Sequence, residues 1–272
     1  MRSQVQLIRS YDRTIAAGFL RRYYEDSGFL NWGYWDTQPK SQREASEALV
    51  DKLLDKILQK GGRILDVACG LGASTRRLMR SYPPDMITGV NFSEVQIAEA
   101  RKRAAGCTFR CMDATRLDFA DAWFDAVICV EAAFHFDTRD AFLREALRVL
   151  KPGGWLVLSD VLFRGFVASV LAQVPRANHV ASIAGYARSL EAAGFEQIDV
   201  QDATEACLGG FYRNILRWPT QERINGRMRF AESILASFLC QIIAGYVRSV
   251  SKTALLASAR KPLIQQDPVN DS

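Results

Sequence analysis

Two rhythms of apolar and polar positions run along this chain. Short apolar runs bounded by turn residues read as strands: "RILDVA" (63–68), "MITGV" (86–90), "CTFRCMD" (107–113), "FDAVICV" (124–130), "WLVLSDVL" (155–162), "EQIDVQDA" (196–203) and "TALLASAR" (253–260). Between them lie segments with helical spacing: "SQREASEALVDKLLDKILQK" (41–60), "ASTRRLMRSY" (73–82), "SEVQIAEARKRAAG" (93–106), "TRDAFLREALRVL" (138–150), "YARSLEAAGF" (186–195) and a long stretch over 206–250. Upstream, Leu7, Tyr11, Ile15, Phe19 and Tyr23 recur every fourth residue and predict one or two helices over 5–26. Ser41 followed by Glu44 predicts a capping box, and "KPGG" predicts a chain break before the strand at 155. Strands alternating with helices predict an α/β fold: a mainly parallel sheet with helices on both faces.

At 272 residues the chain suits one large α/β domain, with or without an added lobe. A net charge of +5 is too mild to imply a nucleic-acid partner. "MRSQVQLIRSYDR" has no apolar core of a secretory signal, and "ILASFLCQIIAGYV" (234–247) is short and interrupted for a bilayer span, reading instead as a buried helix. Six cysteines lie scattered without a CxxC pair, which predicts reduced core thiols in a cytoplasmic protein and no metal site.

The candidate chemistry begins at "CGLGAST", between a strand and a helix. Gly70 and Gly72 permit a sharp turn and close backbone approach, and the helix from Ala73 points free N–H groups there. The third glycine of a dinucleotide fingerprint is missing, as is GxxxxGK[ST], so NAD and nucleoside triphosphates are disfavoured. Asp66 at the strand end would repel a pyrophosphate and attract a cation.

"ILDVACGLGAST", "TGVNFSEVQIAEA", "CMDATRLDFADAWFDAVICVEAAFHF" and "LREALRVLKPGGWLVLSD", in order over 62–162, resemble the successive motifs of class I S-adenosylmethionine-dependent methyltransferases. "NWGYWD" is similar to the aromatic loop of small-molecule members, among them sugar O-methyltransferases of natural products and tocopherol- and sarcosine-type enzymes. The resemblance implies a seven-stranded Rossmann-like sheet whose last strand is antiparallel. It divides the chain into a lid of N-terminal helices and aromatic loop (1–60), an S-adenosylmethionine-binding core (61–205), a helical substrate cap (206–250), the last strand (251–262) and a loose tail (263–272).

Carried over by position, Asp66, Gly70 and Gly72 would hold the methionine end of the cofactor, and Asp113 with Ala114 the adenine. Asn91 stands where an acid usually grips the ribose. Beside Phe92 and Gln96, it makes ribose binding a matter of amides, without charge assistance. Glu131 completes the set. Trp32, Tyr34 or Trp35 would offer a π face to the sulfonium, and Tyr11 could also reach it.

His135, in "EAAFHFD", follows the strand "FDAVICV"; Asp160 ends the neighbouring strand. In the resembled sugar O-methyltransferases a histidine and an aspartate here act as base and orienter. A substrate-positioning role and a purely structural one remain open, and Phe134 stands where those enzymes often have a second histidine. His179 has no strand-end context and reads as structural.

The segments 161–184 and 206–250 fall outside the predicted sheet and would cap the site. Nine Lys/Arg against three acids over 205–261 suit a solvated face, an anionic substrate or weak membrane-surface contact. The expected activity is methyl transfer to a small-molecule hydroxyl in secondary metabolism, leaving S-adenosylhomocysteine. Alternatives are C-methylation of a quinone, prenylated ring or lipid, N-methylation, and a cofactor-binding cyclase or regulator that transfers no methyl. No NPPY-like tetrapeptide or nucleic-acid module is present, and a homo-oligomer fits.

Overall fold

The computed structural model describes residues 18–165 and 173–263. The expected helix positions at Leu7, Tyr11 and Ile15, part of the segment 161–184, and the tail from 264 lie outside them. In chain order the elements are α1 (Gly18–Tyr23), α2 (Gln42–Leu54), β1 (Ile64–Val67), α3 (Ala73–Leu78), β2 (Ile87–Asn91), α4 (Glu94–Arg103), β3 (Thr108–Cys111), β4 (Phe124–Val130), α5 (Arg139–Val149), β5 (Leu150–Phe163), α6 (Ile183–Ala193), β6 (Glu196–Asp202), α7 (Gly210–Ile224), α8 (Phe230–Val250) and β7 (Ser251–Arg260). The seven strands form one sheet in the order β3-β2-β1-β4-β5-β7-β6. β7 runs antiparallel between β5 and β6, and the other pairings are parallel.

The pleat sorts side chains to two layers. Ile64, Ala126, Ile128, Trp155 and Val157 meet α2, α3, α7 and α8 on one face. Leu65, Val67, Val127, Cys129, Leu156 and Leu158 meet Phe142, Leu143, Ala146 and Val149 of α5 and Tyr186 and Leu190 of α6 on the other. Every residue of β1 is buried, as a central strand covered on both sides requires.

Helix starts follow local chemistry. Ser41, Ser93, Thr138 and Ser182 each accept a hydrogen bond from the backbone N–H three residues on. The capping box at Ser41 is half formed: Glu44 Oε2 reaches back to the N–H of Lys40, at 2.8 Å, one residue before the cap. "KPGG" does not end the strand. β5 runs through it to Phe163, with the register slipping between Phe124/Leu150 and Ala126/Trp155, so the glycines form a bulge. At its far end β5 exceeds the predicted strand by Phe163, and Val161, Leu162 and Phe163 all pair with β7, so the start of the segment 161–184 belongs to the sheet. The six cysteines form no disulfide.

Gly72 caps α3 with a φ of 79°. A Cβ there would lie 2.8 Å from Ala100 Cα and 2.9 Å from its Cβ, where α4 crosses. Gly72→Ala is expected to lower stability by about 1–3 kcal/mol through overpacking and left-handed strain, read as a lower midpoint of thermal unfolding.

Candidate active site

β1 leads to β2 on one side of the sheet, while β4 leads to β5 on the other. The chain thus diverges at the neighbouring ends of β1 and β4, and open α/β sheets bind ligands at such a switch point. The first residue past each strand, Ala68 and Glu131, adopts a positive φ, 60° and 49°. Non-glycine residues take this conformation rarely and most often where function requires it. A cleft of about 210 Å³ opens there, lined by Gly70, Asn91, Phe92, Gln96, Asp113, Ala114, Glu131 and His135 among others.

Eight of the residues expected at the site therefore meet on one cleft. Asn91 Nδ2 donates to Gln96 Oε1 at 3.0 Å, joining two amides across the β2–α4 turn. Asp113 Oδ1 accepts from the N–H and hydroxyl of Thr115, both at 2.8 Å, which fixes the carboxylate after β3. The position of a Cβ on Gly70 is 3.9 Å from Gln96 Oε1, with nothing nearer, so this glycine leaves the floor of the cleft open.

Four expectations are corrected. Asp66 lies on the α3 side of the pleat, where its Oδ2 accepts from Ser74 Oγ at 2.7 Å and Thr75 Oγ1 at 2.6 Å. It braces the glycine turn from below and does not line the cleft. Burial pushes its pKa up to about 6, against the lowering effect of those two hydroxyls. Gly72 does not line the cleft and stands at the α3–α4 crossing. Tyr34 is held by its N–H to Ala45 O at 2.8 Å, and its partly buried ring packs against the core, with Lys52 Nζ of α2 5.6 Å from its centroid. Asp160 shares the face of Leu156 and Leu158, so it points at α5 and α6. There Arg139 Nε and Tyr186 OH both donate to its Oδ2 at 2.8 Å. It does not orient His135.

His135 stands on a 3-10 turn, Ala133–His135, just past β4. Asn178 holds that turn, its Nδ2 donating to Phe134 O at 3.1 Å and Phe136 O at 2.6 Å. Arg139 in turn fixes Asn178, through its Nη1 on the backbone oxygen and its N–H on Oδ1, each at 2.6 Å. Asp160 is thus linked to the turn that carries the histidine through Arg139 and Asn178. The imidazole is half-buried and lies against Phe134 with ring centroids 4.3 Å apart. Desolvation drives its pKa down to about 4, opposed by a hydrogen bond with the Gln173 backbone. At neutral pH it is an uncharged acceptor. His179 is exposed and borders a separate shallow groove between α5 and α6.

One wall is built of residues not named above as site candidates, within the segment expected as a lid. Gly28, Phe29, Leu30 and Asn31 close the cleft from the N-terminal side. Arg103 clamps this wall to the glycine turn, donating to Ser27 O at 2.8 Å and Leu71 O at 3.1 Å. A Cβ on Gly28 would strike that guanidinium. The Trp32 N–H donates to Glu131 Oε2 at 2.8 Å, fastening the wall to the end of β4. The Trp32 ring packs against Phe211, and Trp35 fills the space over Gly210, so the aromatic loop serves the α7 contact. Burial raises Glu131 to about 8, with the Trp32 N–H opposing and the Asp160 charge adding to the rise.

S-adenosylmethionine fits this donor set. Asn31 is 6 % exposed, and its Oδ1 has no hydrogen-bond partner among the described residues. A buried orphan acceptor invites a donor such as an ammonium group. No Lys or Arg occurs among the described lining residues, which suits a cation and disfavours a phosphate. Asn31 and Glu131 would hold the amino-acid end, Asn91 and Gln96 the ribose hydroxyls, and Asp113 the adenine amine.

Residues 65–158 match the family described as a methyltransferase domain. The chain is 31% identical over 251 residues to the 27-O-demethylrifamycin SV methyltransferase of Amycolatopsis mediterranei (strain S699), covering 86% of this chain and 90% of that protein. It is 28% identical over 282 residues to the 2-methyl-6-phytyl-1,4-hydroquinone methyltransferase of Synechocystis sp., covering 95% and 83%. The solved structure of the 4+2 cyclase SpnF superposes with a TM-score of 0.70 at 28% identity, covering 96% of this chain and 97% of that one. With its sheet order, its switch-point cleft and these relatives, the chain belongs to the class I S-adenosylmethionine-dependent methyltransferases.

Proposed function

We infer that this small-molecule methyltransferase acts on a hydroxyl oxygen of a secondary metabolite. The observation that carries the reading is His135, an uncharged imidazole lining the cleft past β4 beside the residues suited to the cofactor. When bound, S-adenosylmethionine supplies a methyl carbon made electrophilic by its positive sulfur. As an acceptor oxygen bonds to that carbon and the carbon–sulfur bond breaks towards sulfur, the hydroxyl proton becomes strongly acidic. His135 receives it. A base of low pKa suffices, because the proton leaves an oxygen that is already alkylated. Asn178 holds the turn that carries the ring, the Gln173 backbone holds the ring by a hydrogen bond, and the Gly28–Asn31 wall covers the cleft from the N-terminal side. The oxygen named in the Amycolatopsis relative supports the same acceptor atom.

A second reading has one finding behind it: the cyclase whose structure covers nearly the whole chain. The deciding experiment supplies purified protein with S-adenosylmethionine and a panel of hydroxylated aromatic and polyketide-like acceptors. O-methyl product with one S-adenosylhomocysteine per turnover is expected. Methyl on carbon would transfer the reading to the hydroquinone-type reaction. Ring closure without S-adenosylhomocysteine would favour the cyclase.

His135→Ala is expected to lower kcat by about 10²–10⁴, with cofactor affinity unchanged by calorimetry. For the native enzyme the acid limb of kcat against pH should fall near 4, where His135 takes up a proton, and not near the ordinary histidine value. Glu131 gives a second prediction, of the same sign but at higher pH. Its carboxyl is protonated below about 8, and a cationic ligand favours the charged form. Cofactor affinity should therefore rise with pH by up to about tenfold per unit until Glu131 is ionised. Without ligand the sign reverses: stability contributed by the protonated carboxyl is lost as pH climbs from its unfolded value through about 8. Glu131→Gln should flatten both profiles.

A further inference from the structure

α8 is built inside out. The residues it turns to the protein are mostly small: Ser233, Ala236, Cys240, Ala244 and Val247. Those it turns to solvent are large and apolar: Phe230, Ile234, Leu235, Phe238, Ile242 and Tyr246 are 45% to 67% exposed. Their spacing puts them on one stripe along a helix roughly 30 Å long, and Leu216 and Ile224 of α7 are exposed as well. A contiguous face of this kind marks a contact surface. Because the opposite row is packed against α7 and the sheet, the helix can lie on an apolar phase but not cross it.

The charges around the stripe select the partner. From 206 to 263 the acids are Glu222 and Glu232 alone. Glu222 pairs with Arg227 at 3.4 Å, and Glu232 caps α8 by accepting from the Arg229 N–H at 2.9 Å. Arg217, Arg223 and Arg248 have no carboxylate partner among the described residues, and Arg223 lies over the Phe230 ring, 5.8 Å from its centroid. A second copy meeting this face through a two-fold axis would bring cations against cations. An anionic lipid surface accepts both the stripe and its rim.

We propose that α8 docks the enzyme on anionic membranes, with Phe230, Ile234, Leu235, Phe238, Ile242 and Tyr246 in the headgroup–acyl boundary and the arginines on lipid phosphates. The inference is independent of which acceptor atom is methylated. The test is co-sedimentation of the full chain with vesicles of phosphatidylcholine alone or mixed with phosphatidylglycerol. Binding to the mixed vesicles, weaker on the neutral ones and released by high salt, is expected. The double variant Ile234→Glu/Phe238→Glu should abolish it while methyl transfer to a water-soluble acceptor continues. Replacing Arg217, Arg223 and Arg248 together by Gln should weaken it by about fivefold per charge. Failure to bind phosphatidylglycerol vesicles overturns the proposal. So does a dimer in analytical ultracentrifugation that the Glu variant dissolves, which would assign the face to a second copy. A marked fall in the variant's thermal midpoint would equally overturn it, by showing that the chain itself covers the stripe.

Discussion

A sheet buried on both faces leaves little freedom to its side chains, and this pleat constrains the rest of the molecule. Successive residues of a strand must point to opposite helix layers. The two acids on the central strands follow the rule. Asp66 shares the side of Ile64 and goes to the hydroxyls of α3; Asp160 shares the side of Leu156 and Leu158 and goes to Arg139 and Tyr186. Neither can turn to the cleft without leaving its layer. The cleft is lined instead by residues at or just beyond the strand ends, where the pleat ends: Gly70, Asn91, Asp113, Glu131 and His135.

The buried acids still shape the site from behind. Arg139 is 1% and Asp160 1% exposed, so each is tolerable only because the other is present. Removing one partner of such a pair costs about 3–5 kcal/mol. The pair does more than neutralise itself. Through Asn178 it holds the turn that carries His135, so a stability element and a site element share one network. Asp66 acts likewise on the glycine turn through Ser74, which itself lines the cleft.

One segment outside the sheet and its helices finishes the site. The wall at 28–31 is fastened by Arg103 at one end and Glu131 at the other, so the residues that shield the cleft are tied to both switch-point strands. The aromatic loop after it packs on Phe211 and Gly210, which couples the wall to the α7–α8 hairpin.

The sequence alone determined the strand and helix pattern, and through motif resemblance the sheet and its cofactor, because hydrophobic periodicity and a strand–glycine–helix turn are local signals. Eight residues of the cleft were legible for the same reason: each sits at a fixed offset from a strand end. Tertiary structure decided what depends on direction or on distant partners. Parity sent Asp160 away from His135, and the α3–α4 crossing, absent from any local window, explains Gly72. The bulge at "KPGG" required β4 alongside to reveal that the strand continues. Trp32, next to the wall, reaches Glu131 across 99 residues of chain, a separation that no spacing rule encodes. The outward face of α8 is the sharpest case. Its composition reads as a buried helix, and only packing shows that the small residues face in and the large ones out.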